Sequence, residues 1–377
     1  MDKLLLIPGP TNLSKRVRDV MAGPQLPHVG SEFYSMFKET VSLARYVFRN
    51  EKGVQFVFTG SGTIGMESSV VSLVSHGDPT LTLTNGYFGR RMLMLNQVHG
   101  AKADSLEYTE GNAADPDALR KKLRKSRYKV VFITHVDTSS SVANPINELV
   151  EECSKEGVLS VVDAVCSIGG IPLDFGRLGA DIVFTASQKA LAGPPGAVLV
   201  AASERAIQQM ENRKAPIESY YMNLLKWKPI MDDPKMYLAT PATQVLLALR
   251  EAMKETKEEG LENRWSRHRK LGELTRSRVE GWGQKFVAEE GRRADTVTSF
   301  WVHREKAGEI QHTLENEHGI VVARGIYEDS DKMIRIGHFG ILQVSELRAA
   351  LDSLGIIMEK IGGIIRPVKV AKRMPAR

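Results

Sequence analysis

Short apolar runs alternate with amphipathic, charged stretches over the first two thirds of the chain. Runs at Val54 to Phe58, Thr80 to Thr84, Val130 to Thr134, Leu159 to Asp163, Ile182 to Ala186 and Ala197 to Ala202 read as strands. They are near-continuous in apolar residues, as expected of strands buried on both faces. Segments with helical spacing separate most of them, among them Met66 to Ser75, Gly89 to Leu95, Asp117 to Lys125 and Ile146 to Glu156. Repeated strand–helix units of this kind predict an α/β fold with a mostly parallel sheet. From about Thr243 the texture changes. A long helix is expected over Gln244 to Glu259, and charged helix from Trp265 to Lys285. Thr296 to Val302, Ile320 to Arg324 and Met333 to Gly337 then read as strands, with helices at Ala307 to Glu317 and Ser345 to Ile361. That second group predicts a small α+β domain.

Composition narrows the class. The chain has 377 residues, 42% hydrophobic and 25% charged, which is globular usage and long enough for a large domain with an appendage. No run approaches the roughly 18 apolar residues of a membrane span. The apolar start Leu4 to Ile7 runs straight into Pro8-Gly9-Pro10 and lacks the core of a signal peptide, so a cytoplasmic location is expected. Cys153 and Cys166 stand thirteen positions apart, which matches neither a disulfide framework nor a metal-ligand spacing, so no metal is expected.

The net charge of +6 invites a nucleic-acid reading, but five of those charges belong to the acid-free tail from Arg366 to Arg377. The basic run Arg120 to Lys129 follows Asp115-Pro116-Asp117, the cap and acidic first turn of a helix, and collects cations where the dipole favours them. Tyr128 is its single aromatic residue, so no nucleic-acid partner is expected.

Candidate chemistry gathers just after the strands, where doubly wound sheets bind ligands. Thr59-Gly60-Ser61-Gly62-Thr63-Ile64-Gly65 follows a strand and opens a helix. Its glycines fit a dinucleotide fingerprint, yet the next strand ends in Thr84-Asn85-Gly86 rather than in the ribose-binding acid. A phosphate cradle and a purely structural turn both remain open. Asp163 ends an apolar strand, and a carboxylate there implies a cationic partner. Lys189 follows another strand and precedes Gly193-Pro194-Pro195-Gly196, a setting that can hold a lysine desolvated and nucleophilic. Phosphate cradle, strand-end acid and lysine together describe a site for a phosphorylated aldehyde cofactor.

Val162-Asp163-Ala164-Val165-Cys166-Ser167, followed by Ser187-Gln188-Lys189-Ala190-Leu191-Ala192-Gly193-Pro194-Pro195-Gly196, resembles the class V pyridoxal-phosphate aminotransferases. Within that class the chain is most similar to the alanine–glyoxylate and serine–pyruvate enzymes. Leu6-Ile7-Pro8-Gly9-Pro10-Thr11-Asn12, Pro27-His28, Asn85-Gly86-Tyr87-Phe88-Gly89-Arg90 and Arg335-Ile336-Gly337 match in the same order, up to about Gly363.

The resemblance implies a fold-type I transferase: a large domain over 16–242 with a mostly parallel seven-stranded sheet sandwiched by helices, and a small domain from 1–15 and 260–363. Residues 243–259 would be the connecting helix and 364–377 a basic tail. It implies pyridoxal 5'-phosphate held covalently by Lys189, with Asp163 on the pyridine nitrogen. Ser61, Gly62, Thr63 and Gln188 would contact the phosphate, Phe88 would stack on the ring, and Thr138 would lie near the phenolic oxygen. Tyr237 and Thr240 would complete the neighbouring subunit's phosphate site, which implies a homodimer with shared sites. Arg335, with Gly9, would bind the substrate carboxylate, and Arg324 is the reserve candidate.

Two departures touch the amino-acid pocket. His135-Val136-Asp137-Thr138-Ser139-Ser140-Ser141 replaces His-Gly-Glu-Ser-Ser-Thr-Gly of close relatives, and Thr63 stands where many carry His. His135 reads as a packed residue rather than a catalyst. The expected activity is amino transfer from alanine or serine to glyoxylate or pyruvate. Phosphoserine, ureidoglycine or dicarboxylic donors are alternatives, with a cysteine desulfurase and a nicotinamide dehydrogenase behind them. A desulfurase needs a nucleophilic cysteine in the small-domain half, and both cysteines fall in the large-domain half.

Overall fold

The structure is a computed structural model and describes residues 3–364. The basic tail lies outside the described residues from position 365 onward. The strands are β1 (Leu4–Leu6), β2 (Val54–Thr59), β3 (Pro79–Thr84), β4 (Lys102–Glu107), β5 (Val130–Thr134), β6 (Val136–Asp137), β7 (Val142–Ala143), β8 (Leu159–Asp163), β9 (Ile182–Ala186), β10 (Ala197–Ala202), β11 (Val297–Trp301), β12 (Ile320–Arg324) and β13 (Met333–Gly337). The first helices are α1 (Lys15–Met21), α2 (Ser31–Phe48), α3 (Gly62–Leu73), α4 (Tyr87–Val98), α5 (Pro116–Lys125) and α6 (Ile146–Lys155). They are followed by α7 (Phe175–Leu178), α8 (Glu204–Glu211), α9 (Leu224–Asp232), α10 (Thr243–Glu259), α11 (Leu261–Gly281), α12 (Ala307–His318) and α13 (Val344–Ile361).

Seven strands form one sheet in the order β2-β10-β9-β8-β5-β3-β4, antiparallel only where β10 meets β2 and β9. Phe56, Phe58, Phe132 and Phe184 are fully buried on it. A second sheet, β1-β12-β13-β11, joins the chain's start to its last third, with β1 parallel to β12. Its own core packs Leu6, Phe300, Ile334 and Ile336 against Leu347, Leu351 and Leu354 of α13.

The expected strands and the structure agree to within a residue or two, because parallel strands buried on both faces leave a plain apolar signal. The seventh strand of the large sheet, β4, has the polar sequence Lys-Ala-Asp-Ser-Leu-Glu. It sits at an edge against β3 alone, so charge is tolerated there and the pattern hid it. Three helix starts differ from expectation. α3 opens at Gly62 rather than Met66, and α4 at Tyr87 rather than Gly89, because their first turns carry chemistry instead of core residues. α11 begins directly after Gly260 (φ 80°) and ends near Gly283 (φ 69°), so it is shifted forward from the expected 265–285.

The glycine motif is explained by packing at its far end. A side chain at Gly65 would come within 2.8 Å of Phe184 and 2.9 Å of Val198, so this glycine lets α3 lie directly on the sheet.

Candidate active site

The parallel strands β2, β3, β5, β8 and β9 all end on one edge of the large sheet, and each hands its next residues to the same cleft. After β2, Ser61 caps α3 by position, but its exposed side chain makes no cap hydrogen bond. The N–H groups of the first turn, at Gly62 and Thr63, therefore face the cleft edge with the positive end of the helix dipole behind them.

Asp163 ends β8. It is 4% exposed, and Val165 N–H donates to its Oδ1 at 2.9 Å. No cation lies within ion-pair distance of it among the described residues. Burial pushes its carboxyl up to about 7, against the pull of that hydrogen bond and of the Lys189 and Arg91 charges. The partner that a strand-end acid requires is thus not supplied by the described residues.

Lys189 follows β9, partly open to the cleft, and its Nζ donates to the Pro8 carbonyl. Burial lowers its ammonium below the usual lysine range, and the Arg335 and Arg91 charges lower it further. Gly9, expected to bind substrate, lies against this side chain: a Cβ there would stand 2.6 Å from Lys189 Cδ. Its N–H donates to the Ile7 carbonyl at 2.7 Å, so in this structure Gly9 serves to make room for the lysine. Gln188, next door, accepts the Thr11 N–H on its backbone carbonyl at 3.3 Å, while its own Oε1 is buried without a partner.

Phe88 presents a half-buried ring from the first turn of α4. Sequence reasoning missed what holds it. Asp137, fully buried, accepts the N–H groups of Phe88 (3.0 Å) and Gly89 (3.4 Å), and of Ser139 at 2.9 Å. Gly86 has no room for a side chain beside that carboxylate. The available signal was Asp137 itself, an acid in a run of small polar residues, but its partners lie about fifty positions away. Arg91 was also missed; it packs over Phe88 and Tyr87.

Arg335, on β13, reaches from the small sheet to the turn between β6 and β7, which pair as a separate two-stranded sheet. Its Nε donates to the Arg324 carbonyl at 2.7 Å and its Nη1 to the Thr138 carbonyl at 3.0 Å. No acid pairs with it among the described residues. The reserve candidate Arg324 is bound to Asp331 at 2.7 Å. Thr138 is buried with its hydroxyl toward the Cys166 thiol. Tyr237 and Thr240 lie apart from this cluster on an exposed segment, joined to each other at 3.0 Å, with His28 5.7 Å from the tyrosine ring. His135 is packed as expected: it is buried, and burial lowers its imidazole to about 3. Both cysteines are buried, and burial raises the Cys153 thiol to about 12 and that of Cys166 in the same direction.

The model of the class V aminotransferases ("Aminotransferase class-V") matches residues 13–342. The chain belongs to that family. It is 32% identical to an uncharacterized aminotransferase of Methanocaldococcus jannaschii, over 99% of this chain and 97% of the other. It is 33% identical to alanine–glyoxylate aminotransferase 1 of Saccharomyces cerevisiae, over 89% and 92% respectively. The crystal structure of an alanine–glyoxylate aminotransferase from Nostoc superposes with a TM-score of 0.91 at 29% identity, covering 95% of this chain and 96% of that one. Membership excludes the nicotinamide reading of the glycine motif.

Class V aminotransferases use pyridoxal 5'-phosphate, and the residues here fit it. Asp163 is a buried carboxyl lacking the cation that a ring N–H provides. Ser61 and the first turn of α3 offer unspent donors, and Lys189 is a desolvated amine in the same cleft. Among the described residues no helix is long and apolar enough to cross a membrane, and no cluster suits a metal ion.

Proposed function

We propose that this aminotransferase moves an amino group from a small amino acid, alanine or serine, to glyoxylate or pyruvate, in two half-reactions on one site. The observation that carries the reading is the pairing of an acid-free guanidinium, Arg335, with a desolvated amine, Lys189, in one cleft. Donor and acceptor share an α-carboxylate, and one planar guanidinium can hold it in both half-reactions.

In this reading Ser61, Gly62, Thr63 and Gln188 hold the cofactor's phosphate and Asp163 its ring nitrogen. Phe88, fixed by Asp137, lies over the ring, and Thr138 lies near the phenolic oxygen. Bound pyridoxal phosphate supplies a ring that withdraws electrons from the substrate α-carbon. Lys189 Nζ, whose charged form burial disfavours, takes and returns the α-proton. The Thr138 carbonyl would hold in place the Arg335 guanidinium that receives the substrate carboxylate. Residues 16–242 form the cofactor-binding domain, 1–15 and 260–363 the small domain and 243–259 the connecting helix. Tyr237 and Thr240 would reach the phosphate site of a second copy of the chain, and a homodimer would share its sites through them.

The purified protein is expected to absorb at about 410 to 430 nm, with the band removed by borohydride. A panel of amino donors against glyoxylate and pyruvate is expected to rank alanine and serine first. Absence of the band, or turnover confined to other donors, would overturn the proposal. Mixing Lys189→Ala with Thr240→Ala subunits tests the dimer, since a mixed dimer retains one intact site; no recovery above either parent, with exchange verified, counts against sharing.

A further inference from the structure

The cleft between the two sheets contains a second guanidinium that the proposed reaction leaves without a task. Arg91 lies one turn along α4 from Phe88. Its guanidinium carbon is 4.8 Å from the Tyr87 ring centre and 4.9 Å from that of Phe88. Nη2 donates to the Tyr87 hydroxyl at 3.2 Å, and Nη1 reaches Thr63 Oγ1 at 3.4 Å, near the limit of a hydrogen bond. Every one of these partners is neutral. No carboxylate lies within ion-pair distance of Arg91 among the described residues.

The neighbouring Arg90 differs, being exposed and set against the half-buried Glu110. Arg91 is half-buried and faces a cleft of about 950 Å³, lined also by Tyr87, Ser139, Tyr327 and Met333. Glu110, Glu328 and Asp329 line the same cleft, and none of them pairs with Arg91. Met333 is two positions from Arg335 on β13, and Ser139 follows Thr138, whose carbonyl holds Arg335. The cleft therefore adjoins the proposed α-carboxylate anchor. The Arg91 and Arg335 charges both act on Lys189, which places both guanidiniums within electrostatic reach of the reacting amine.

Alanine and serine bring one carboxylate to these two cations. A half-buried guanidinium braced by aromatic faces and hydroxyls is preorganised for a planar anion, and none of the described residues supplies one. We propose that Arg91 binds the side-chain carboxylate of a dicarboxylic amino acid or 2-oxo acid, so that the site takes a dicarboxylic partner alongside a small neutral one. Arg335 holds the α-carboxylate, and Arg91 neutralises the second charge. The inference rests on the transaminase reading above.

Succinate and butyrate test it, because they have the same chain length, differ by one carboxylate and do not react. Calorimetric titration of the holoenzyme is expected to show succinate bound about tenfold or more tightly than butyrate. Arg91→Gln is expected to bring the ratio close to one, and Arg91→Lys to restore part of it. Equal binding of the two acids by the unaltered protein overturns the inference without recourse to any variant. So does a succinate preference that survives in a folded Arg91→Gln protein. If succinate shows no preference and Arg91→Gln instead weakens retention of the cofactor, the guanidinium serves the cofactor phosphate, and the inference fails. The absorbance band is read separately, so a protein lacking it fails as a transaminase whatever the acid titrations give.

Discussion

At the floor of the site, Asp163 and Lys189 stand at the ends of strands buried on both faces, whereas at its rim Arg335 and Arg91 are braced by groups from different parts of the fold. The floor is desolvated: burial raises the acid and lowers the amine, so each group is moved toward its neutral form. At the rim, the two guanidiniums are held by carbonyls, hydroxyls and ring faces, with no acid at ion-pair distance among the described residues. The floor sets the reactivity of the protein's own groups, while the rim keeps positive charge ready for an incoming anion. Asp163 and Lys189 follow strands of the large sheet, Arg91 lies on α4 and Arg335 on the small sheet, from which it reaches the Thr138 carbonyl.

Removing the floor's amine breaks the comparison most severely. Lys189→Ala is expected to abolish turnover while the protein still folds, since the side chain points into a cleft rather than a core; steady-state assay and far-ultraviolet circular dichroism check both halves. Normal turnover would remove Lys189 from the reaction. Asp163→Asn keeps the shape and deletes the ionisable group. Turnover is expected to fall by about 10²- to 10⁴-fold with the cofactor band retained, and an unchanged rate would show that another acid serves.

The burial that tunes the floor extends to histidines, and it has a pH signature. His135 and His338 are buried with imidazoles lowered to about 3. The folded state holds both neutral, whereas the unfolded chain protonates them below about 6.5. Their contribution to stability is therefore complete above that pH and is lost as pH falls toward 3, on the order of 4 kcal/mol for each. Denaturant titrations between these limits measure it, and replacing His135 with Gln should flatten the acid limb. An unaltered limb would mean that other groups drive acid unfolding.

The rim yields the smallest effect. Arg335→Lys preserves the charge and loses the parallel pair of hydrogen bonds, so binding of both donor and acceptor is expected to weaken by about 1.5 to 3 kcal/mol. The cofactor band should stay unchanged, which a spectrum and separate KM values for each substrate will show. Impairment of one substrate alone would mean that Arg335 is not the common anchor.

Much of the floor was legible in the sequence because it is local. Asp163 is the last residue of its own strand and Ser187-Gln188-Lys189 directly follows the next one, and burial on both faces writes each strand as an apolar run. The rim was not legible in the same way. Arg335 could be singled out only by resemblance, and Asp137 and Arg91 were passed over because their partners come from distant segments. Tyr87 and Tyr327, 240 positions apart, meet with ring centres 5.6 Å apart, and no periodicity announces that contact.

By itself, the sequence determined the alternation of strands and helices, the order of the motifs and the membership of the family, since each depends on neighbours along the chain. Tertiary structure decided which charges remain unpaired. Among the described residues Asp163 has no cation and Arg335 and Arg91 have no acid within ion-pair distance, while Arg324 is bound to Asp331 in the connection from β12 to β13. Composition counts charges, but pairing them depends on distances that folding alone sets. The same holds for Gly9 and Gly86. Along the chain Gly9 is singled out by resemblance as a substrate contact and Gly86 is one residue of a matching motif, and in the fold they are the spaces that Lys189 and Asp137 fill.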